Sequence, residues 1–444
     1  MPPRLRFGLL NRTFSKSLQI ESLNEAMHIR RTSFYIALFF LFSPQLLLAK
    51  SDLWPQWRGP QRDGQAVEED AAWPEKLDEG MLVEKWRKPF GPSYSGPIVT
   101  ADRVFTTETR GEKQEYVFAL NRKTGDQLWE QHWDGAMKVP FFAASNGSWI
   151  RATPAYDAQS DRLYVAGIQD VLVCVDAKTG EKVWSVDFKE KYGTPNPAFG
   201  FASSPLVDGD AVYVQAAESF IKVDKNSGDI LWRTAVEEGR MNSAFSSPTI
   251  ATVAGVRQLL VQMRNDLKGI SIDDGKELWS QPIQAFRGMN ILTPLVVGES
   301  TLFTSAHSGR SQLWQIKPSG DGAFAATEVW QAKAKAYMSS PVIVGDFLYM
   351  HLQNQRFTCL DLKTGEEKWR TKPFGKYWSM VAQGDKILAL DETGDLRLIR
   401  ANPEKYDLLD ERHITDASSW AHVAVVGGEV FVRTLDELIA YRWE

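Results

Sequence analysis

The chain has 444 residues, of which 43% are hydrophobic and 24% are charged, a balance typical of globular proteins. This composition excludes a disordered, collagen-like or polytopic membrane protein. The formal net charge of −5 argues against a role in which phosphates are neutralised, so no nucleic-acid partner is expected. Two cysteines are too few for a disulfide-stapled scaffold or a Cys-rich zinc or iron–sulfur site.

The N-terminal 49 residues are predicted to be a targeting segment rather than part of the fold. Arg30 and Arg31 precede a short apolar run, and a small-residue pattern at Leu47-x-Ala49 suits signal cleavage. The run is shorter than the about 20 apolar residues that a membrane-spanning helix needs, so no span is expected. The alternative is a buried helix or a membrane anchor. We predict that translation starts at Met27 and that cleavage follows Ala49.

The predicted leader indicates an exported protein. Residues 1–49 carry six basic and two acidic side chains, so the remainder has a net charge of −9. No cysteine follows the apolar run, and a lipoprotein anchor is therefore not expected. We predict a bacterial protein of the periplasm or the medium, with an N-terminal extension over residues 50–81 before the folded domain.

An eleven-residue phrase recurs through the rest of the chain. It reads ALNRKTGDQLW at 119–129, CVDAKTGEKVW at 174–184, KVDKNSGDILW at 222–232 and CLDLKTGEEKW at 359–369, with a shorter version at 270–279. The tryptophans that close these units, and a further one at Trp330, are 39 to 55 residues apart. Such a period suits a four-stranded repeat unit.

Each unit divides into four predicted strands. A Ser/Thr-Pro dipeptide precedes a short apolar run, a polar turn leads to a β-rich run, and a third strand ends in the Asp or Asn of the phrase. The Thr/Ser-Gly dipeptide then turns the chain into a fourth strand that carries the tryptophan, because glycine tolerates positive φ. Helical periodicity is absent over any long window, so the fold class is all-β.

Eight units fit residues 82–444, at about 45 residues each, as expected for propeller blades. Six begin near residues 94, 150, 202, 245, 291 and 338. A seventh, weaker one spans about 379–411, and the last, from about Trp420, has only three strands. Residues 82–87 form an isolated strand that contains Trp86. We therefore predict an eight-bladed β-propeller of four-stranded antiparallel blades, in which this N-terminal strand completes the last blade and removes both free edges.

The repeated tryptophans are predicted to dock one blade on the next. A buried indole removes about 150–250 Å² from water, which is worth roughly 4–6 kcal/mol as an upper bound. Core packing therefore explains these residues better than stacking on a cofactor. The predicted blade-docking residues are Trp86, Trp129, Trp184, Trp232, Trp279, Trp330 and Trp369.

The D-x-x-T-G-x-x-x-W phrase, closed by a Trp strand from the opposite terminus, resembles the PQQ-like (quinoprotein) propeller repeat family. The opening Trp54-Pro55-Gln56-Trp57-Arg58-Gly59-Pro60 is similar to secreted bacterial members. The resemblance covers residues 54–444 and implies the propeller fold. It leaves function open, because relatives include PQQ-dependent alcohol dehydrogenases and the cofactor-free propeller subunit of the outer-membrane barrel assembly machinery.

The sequence departs from the dehydrogenase pattern. Those enzymes clamp PQQ beneath two adjacent cysteines, whereas Cys174 and Cys359 fall in the second and sixth blades, too far apart for a disulfide. No carboxylate matches the family's base or calcium ligands by local motif. The histidines are scattered, without a spacing typical of a metal site, and no nucleophile elbow is present. We therefore predict no cofactor, no metal site and no catalytic residue.

One set of residues is predicted to surround a mouth of the central channel. They precede the first strand of a blade, or lie close to that point, in the connections that cross one face of the ring; we name it the loop face. Aromatic rings with a few polar groups suit a small planar ligand, a sugar or a peptide. The alternative is that they cap the channel and bind nothing. The candidate binding residues are Tyr94, Trp149, Arg151, Phe201, Phe245, Arg287, Asn290, Tyr337, Trp378 and Trp420, with His422 close by.

Two functions remain open from the sequence. The favoured one is a non-enzymatic exported scaffold that binds an envelope protein or a small ligand on the loop face, most of all through the long connection 132–149. The alternative is a divergent PQQ-dependent dehydrogenase with calcium, in which Trp149, Trp378 or Trp420 stacks on the quinone. Arg151 or Arg287 would then bind its carboxylates. A closed ring has no free sheet edge, so a monomer is expected.

Overall fold

The computed structural model describes residues 53–67, 72–237, 239, 244–320 and 322–444. Over these residues the chain is almost entirely β, and 32 strands form eight four-stranded antiparallel sheets around a ring. The predicted eight-bladed propeller is confirmed. The predicted leader, with its start at Met27 and its cleavage after Ala49, lies outside the described residues.

Each blade runs from a short inner strand to an outer fourth strand. The strands of the first four blades are β2 (Ile98–Val99), β3 (Arg103–Arg110), β4 (Gln114–Asn121), β5 (Gln127–Asp134), β6 (Ala155–Asp157), β7 (Arg162–Gly167), β8 (Val171–Asp176), β9 (Lys182–Asp187), β10 (Leu206–Asp208), β11 (Ala211–Ala216), β12 (Ser219–Asp224), β13 (Ile230–Thr234), β14 (Thr249–Val253), β15 (Val256–Gln262), β16 (Asp266–Ser271) and β17 (Glu277–Pro282). Those of the last four are β18 (Leu295–Val297), β19 (Thr301–Ser305), β20 (Ser311–Gly320), β21 (Ala323–Ala332), β22 (Val342–Val344), β23 (Phe347–His351), β24 (Arg356–Asp361), β25 (Glu367–Pro373), β26 (Trp378–Gln383), β27 (Lys386–Asp391), β28 (Asp395–Arg400), β29 (Asp407–His413), β30 (Ala424–Val426), β31 (Glu429–Arg433), β32 (Glu437–Trp443) and, from the N-terminus, β1 (Leu82–Pro89).

The helices of the described residues all lie in connections on the loop face. They are α1 (Phe188–Tyr192) and the 3-10 helices Phe141–Asn146 and Phe286–Gly288. The carboxylate of Asp187 caps α1 by accepting from the backbone N–H of Glu190 at 2.8 Å, the usual role of aspartate at a helix start. The loop face is therefore the more elaborate side of the ring.

The ring is closed by the N-terminal strand. β1 pairs antiparallel with β32, from Leu82 opposite Trp443 to Pro89 opposite Glu437. The last blade consequently has the order β1-β32-β31-β30. Since the two ends of the propeller domain share one sheet, opening the ring requires breaking a complete strand pair, as the sequence predicted.

The repeated phrase joins neighbouring blades through a ring-on-glycine contact. Asp176 fixes the turn by accepting from the backbone N–H groups of Lys178 and Thr179 at 3.0 and 2.8 Å. Gly180 then takes φ +78°, and a Cβ added there would lie 2.6 Å from the indole of Trp129 in the preceding blade. The same arrangement links Trp86 with Gly125, Trp184 with Gly228, Trp232 with Gly275 and Trp330 with Gly365.

The indole nitrogens add a second link between blades. Trp129 Nε1 donates to the carbonyl oxygen of Ala177 at 3.0 Å. Trp279 differs, because the blade after it has a long β-hairpin in place of the phrase, and its Nε1 donates to Gln258 of its own blade at 2.7 Å. Corresponding bonds to the next blade are made by Trp86 to Arg122, Trp184 to Lys225, Trp330 to Leu362 and Trp369 to Asn402, at 2.8 to 3.2 Å.

The Ser/Thr-Pro dipeptides form hydrogen bonds around the channel. Thr153 Oγ1 accepts from the backbone N–H of Gly96 in the preceding blade at 3.0 Å. Ser204 Oγ accepts from Thr153 N at 3.0 Å, and Ser247 Oγ accepts from Ser204 N at 2.9 Å. A small hydroxyl side chain is thus required at these inner positions because it links neighbouring blades.

The N-terminal segment 53–67 lies across the channel. The sequence analysis predicted no strand or helix for it. Trp54 forms an antiparallel bridge with Val99 in the first blade, and Gln65 forms a parallel bridge with Ala382 in the seventh. The backbone N–H of Tyr156 donates to the carbonyl oxygen of Pro55 at 2.7 Å. The segment therefore fills the channel with main chain and side chains from outside the repeats.

Two arginines of this segment, Arg58 and Arg62, are buried, and neither forms an ion pair within the part of the chain that the structure describes. Arg62 donates to the carbonyl oxygens of Pro205 and Ser204 at 2.8 and 3.0 Å. Arg58 donates to the carbonyl oxygens of Asp63, at 2.8 Å, and Pro341. Burial lowers the pKa of Arg58 to about 10 and that of Arg62 to about 9. Carbonyl groups of the third blade thus hold Arg62, and those of the sixth blade and of Asp63 hold Arg58.

Gly180→Ala is expected to lower the free energy of unfolding by about 1–3 kcal/mol, because the added Cβ meets both positive φ and the Trp129 ring. Gly209→Ala is the matched control, since Gly209 has φ +55° with nothing within 4 Å of the added Cβ. Its loss should be about 1 kcal/mol or less. Urea unfolding measures both variants, and equal losses would show that the ring contact contributes nothing.

Arg62→Ala is expected to cost about 2–4 kcal/mol, because it strips two buried carbonyl oxygens of their donor and leaves a cavity. Arg257→Ala removes an exposed ion pair with Asp208 and should cost less than about 1 kcal/mol. Urea unfolding followed by tryptophan fluorescence compares them. A loss for Arg62→Ala no larger than for the control would contradict a bracing role for the segment.

Candidate binding site on the loop face

A cavity of about 290 Å³ opens on the loop face at the mouth of the channel. Most of its wall comes from connections between blades, where side chains project over the channel instead of packing between sheets. Among the described lining residues two arginines carry charge, and none is an aspartate or glutamate. The aromatic and charged members are Trp57, Tyr94, Phe142, Phe199, Phe245, Phe286, Tyr337, Trp420, Arg151 and Arg287.

The aromatic side chains contact one another around the rim. Tyr94 stacks on Trp420 with centroids 4.6 Å apart and planes inclined by 17°. Trp420 contacts Tyr377 at 4.0 Å, and Tyr377 stacks on Tyr337 at 5.4 Å. On the other side Phe199 joins Phe142 and Phe245, at 6.1 and 5.6 Å. Such contacts hold the rings in place, so the wall is formed before any ligand binds.

Arg151 places a half-buried cation in the wall. Its Nη2 donates to the carbonyl oxygen of Gly147 at 2.8 Å, and its guanidinium lies 5.3 Å from the centre of the Tyr94 ring. Burial lowers the pKa of Arg151 and raises that of Tyr94 to about 12. The Tyr94 hydroxyl donates to Asn146 O at 2.7 Å. Tyr94 is thus neutral, and Arg151 has donors left for an anion.

Arg287 places a second cation at the edge of the cavity. Its backbone has φ +54°, an uncommon conformation for a residue other than glycine. The guanidinium lies 5.1 Å from the ring centre of Phe286 and 5.8 Å from that of Phe142. These rings belong to different connections between blades, and Arg287 links the two connections by cation–π contacts.

The floor of the cavity comes from the N-terminal segment. Trp57 Nε1 donates to Thr293 Oγ1 at 3.0 Å, and its indole meets the His422 ring edge-on at 5.1 Å. Burial lowers the pKa of His422 to about 3, and its Nδ1 bonds the carbonyl oxygen of Val423 at 2.8 Å. His422 is therefore neutral, and the floor is apolar.

The chain matches the model of one known protein family. The model described as outer membrane protein assembly factor BamB matches residues 113–371, more than half of the chain. The chain belongs to this family. The resemblance to PQQ-like repeat propellers that the sequence indicated is confirmed.

Two relatives of this BamB-family propeller have different described roles. Outer membrane protein assembly factor BamB of Yersinia pestis is 24% identical over 55% of this chain and 64% of its own length. Polyvinylalcohol dehydrogenase of a Sphingopyxis species is 24% identical over 43% of this chain and 29% of its own length. In both cases less than two thirds of the relative is matched.

Solved structures share the fold of this BamB-family propeller. BamB from Moraxella catarrhalis aligns with a TM-score of 0.61 at 16% identity, over 82% of this chain and 100% of that one. Quinohemoprotein alcohol dehydrogenase from Comamonas testosteroni also gives 0.61, at 13% identity, over 89% and 81%. At such identities the likeness concerns fold alone. Within the described residues, every helix is too short or too polar to cross a bilayer.

A PQQ–calcium pair fits this site only in part. The aromatic walls and two guanidiniums suit a planar polycarboxylate. Calcium takes six to eight oxygen ligands, usually with carboxylates among them. The described lining supplies none, and no group of three His, Cys, Asp or Glu suited to a metal occurs among the described residues. Cys174 and Cys359 are free and buried. The described part of the cavity wall therefore offers calcium no carboxylate ligand.

Six of the ten candidate binding residues come together in this cavity: Tyr94, Arg151, Phe245, Arg287, Tyr337 and Trp420. The other four support it or lie elsewhere. Trp149 packs behind Tyr94 with ring centres 5.3 Å apart. Asn290 is 2% exposed, and its Nδ2 donates to the carbonyl oxygens of Met263 and Arg264 at 3.0 and 3.1 Å.

Phe201 and Trp378 are core residues, and the prediction that they face the mouth is corrected. Phe201 is 2% exposed in the cluster between the second and third blades. Trp378 is 4% exposed and stacks on His351 at 5.1 Å. Trp378 begins strand β26 rather than preceding it, so its side chain turns between the sheets.

Four aromatic lining residues were not predicted individually. Phe142 lies in the long connection 132–149 that the sequence indicated as the most functional one. Phe199 and Phe286 lie in the corresponding connections after the second and fourth blades. In the sequence, only their position in long connections between blades indicates that these three residues could line the cavity. Trp57 is far from them in sequence, and no local pattern shows that it enters the channel.

Glu115 anchors the connection that delivers Phe142. It is fully buried on β4, and its carboxylate accepts from Trp133 Nε1 at 2.8 Å and from the backbone N–H of Ile168 at 2.9 Å. Trp133 is near the end of β5, where the connection begins, and Ile168 belongs to the next blade. Burial raises the pKa of Glu115 to about 8.

Glu115→Gln is expected to flatten part of the pH dependence of stability. The folded pKa exceeds the ordinary value of 4.5, so the wild type loses stability from Glu115 as pH rises from about 4.5 to about 8. The variant should gain about 3 kcal/mol relative to wild type between pH 5 and pH 8. Urea unfolding at four pH values measures this difference. Glu181→Gln, in an exposed turn, is the control, and parallel profiles for wild type and Glu115→Gln would contradict the burial effect.

Proposed function

We propose that this propeller is a non-enzymatic scaffold of the bacterial cell envelope that binds a protein or another ligand through its loop face. The observation that carries the proposal is the preformed aromatic cavity, whose described lining includes two arginines and no aspartate or glutamate. A protein scaffold needs a rigid ring and an accessible face with apolar anchors. Phe141 is 91% exposed beside Phe142 and Phe286, which are 53% and 52% exposed.

The family supports a role in the envelope. The Yersinia relative is described as an outer membrane protein assembly factor, and a related partner is proposed for this chain. Export would follow from the predicted leader that ends at Ala49, which delivers the protein to the periplasm or the medium. A monomer is proposed, because a closed ring has no free sheet edge to pair with another chain.

A PQQ-dependent dehydrogenase is the second candidate, favoured by the relative described as polyvinylalcohol dehydrogenase and by the pair Arg151 and Arg287. Quinoprotein dehydrogenation also needs a carboxylate base and a cation beside the cofactor. The described lining offers no carboxylate, either as a base or as a calcium ligand. The scaffold function therefore needs no group beyond those that line the cavity. The dehydrogenase would need a carboxylate base and calcium ligands in addition.

A photo-crosslinking amino acid at Phe142 is expected to capture envelope proteins in cells of the source organism. The same probe at Lys363, in a turn on the opposite face, is the matched control and should capture few. The crosslinked products are resolved by gel and mass spectrometry. Equal capture at both positions, or capture at Lys363 alone, would contradict binding through the loop face.

Calorimetric titration with PQQ, with and without calcium, separates the two candidates. The scaffold proposal predicts no calcium-dependent binding at high micromolar PQQ, because the described lining of the cavity offers the cation no carboxylate. Saturable calcium-dependent binding that Arg151→Ala weakens would overturn it in favour of the dehydrogenase.

A further inference from the structure

A basic groove continues outward from the cavity along the boundary of the fourth and fifth blades. It has a volume of about 860 Å³ and shares Phe286 with the cavity. Its charged lining consists of Arg310, Lys333 and Lys335, with no aspartate or glutamate among its described lining residues. The two features therefore adjoin at Phe286, with the apolar cavity at the channel mouth and the cationic groove beside it.

The cations of the groove are placed by strand geometry. Lys333 and Lys335 follow the end of β21, Lys333 at a bend, and both side chains line the groove. Ala334 between them is 3% exposed, and its carbonyl oxygen accepts from Ser311 N at 3.2 Å. Arg310 immediately precedes β20, the strand that pairs with β21. The main-chain pairing thus holds three cationic side chains at one site.

The three cations of the groove are free of ion pairs with the described acidic residues. Arg310, Lys333 and Lys335 are exposed, and none of them takes part in an ion pair among the described residues. The carboxylate of Glu328, on β21, accepts a hydrogen bond from Gln312 Nε2 at 3.1 Å and forms no ion pair with these three cations. In a chain with a net charge of −5, three like charges beside one another repel. An acidic ligand would remove that repulsion.

The uncharged lining favours a peptide as this ligand. Gln284 and Gln331 line the groove, and an amide side chain both donates and accepts, as binding to a peptide main chain requires. At the inner end, Phe286 and the other rings of the cavity offer an apolar site of about 290 Å³, which suits an aromatic side chain.

We propose that the cavity and the groove together bind one extended peptide segment of a partner protein. An aromatic side chain enters the cavity beside Phe286, and acidic side chains farther along the segment lie against Arg310, Lys333 and Lys335. This inference rests on the proposed function and specifies its partner: an aromatic anchor joined to an acidic run. The aromatic anchor supplies affinity, and the acidic run supplies orientation and association rate.

Fluorescence anisotropy with labelled synthetic peptides tests the proposal on the folded protein. The probe has a tryptophan and five acidic residues, made with the tryptophan at either end. One control replaces the acidic residues by their amides, and the other replaces the tryptophan by alanine. At least one orientation of the probe should bind, and both of its controls should bind about tenfold more weakly or worse.

Charge reversal assigns the acidic run to the groove. Lys333→Glu/Lys335→Glu should weaken the acidic probe about tenfold and reduce its salt dependence, while the amide peptide is unaffected. Lys178→Glu/Lys363→Glu is the matched control, because both lysines are exposed in turns of the opposite face. It makes the same change in net charge. Urea unfolding establishes that each variant folds.

The possible results distinguish peptide binding in the groove from the proposed scaffold function on which it rests. Equal binding of acidic and amide probes, or equal weakening by both double variants, overturns the inference even where crosslinking from Phe142 succeeds. Equal binding of the probe without tryptophan reduces the site to ionic attraction and overturns it too. Absence of both peptide binding and crosslinking at the loop face overturns the proposed function with it.

Discussion

The propeller depends on the contact between an indole ring and the glycine that turns the next blade. Gly180 adopts positive φ directly beneath Trp129, with no room for a side chain. A sheet of four strands has two faces to bury, and this contact docks one blade on the next while leaving the turns exposed. Repetition of a local contact therefore builds a closed ring, provided that the chain ends also pair, which β1 and β32 accomplish.

The ring would leave an open channel, and segment 53–67 closes it. Main-chain carbonyl groups of the inner strands point toward the axis, where they need donors. Arg58 and Arg62 supply these donors from a segment outside the repeats. The same segment places Trp57 beneath the loop face. The filled channel thus turns what would be a pore into a shallow cavity with an apolar floor.

The loop face combines apolar and cationic groups in an acidic protein. Arg151 and Arg287 lie against aromatic rings rather than carboxylates, so their charge is available to a ligand. Calcium binding usually requires carboxylate side chains, and the described lining contains none. The fold that BamB-like proteins share with quinoprotein dehydrogenases thus carries here a described lining of aromatic and cationic side chains.

The sequence by itself determined the repeat, its four strands, the closure by residues 82–87 and the connections that form the mouth, because each has a local periodic signature. Six of ten candidate residues reached the cavity, since position before a first strand places a side chain near the axis. Only tertiary structure decided that Trp378 turns into the core and that Trp57 enters the channel. Side-chain direction at a strand end and the course of a non-repeating segment depend on contacts with distant blades, which leave no pattern in neighbouring residues.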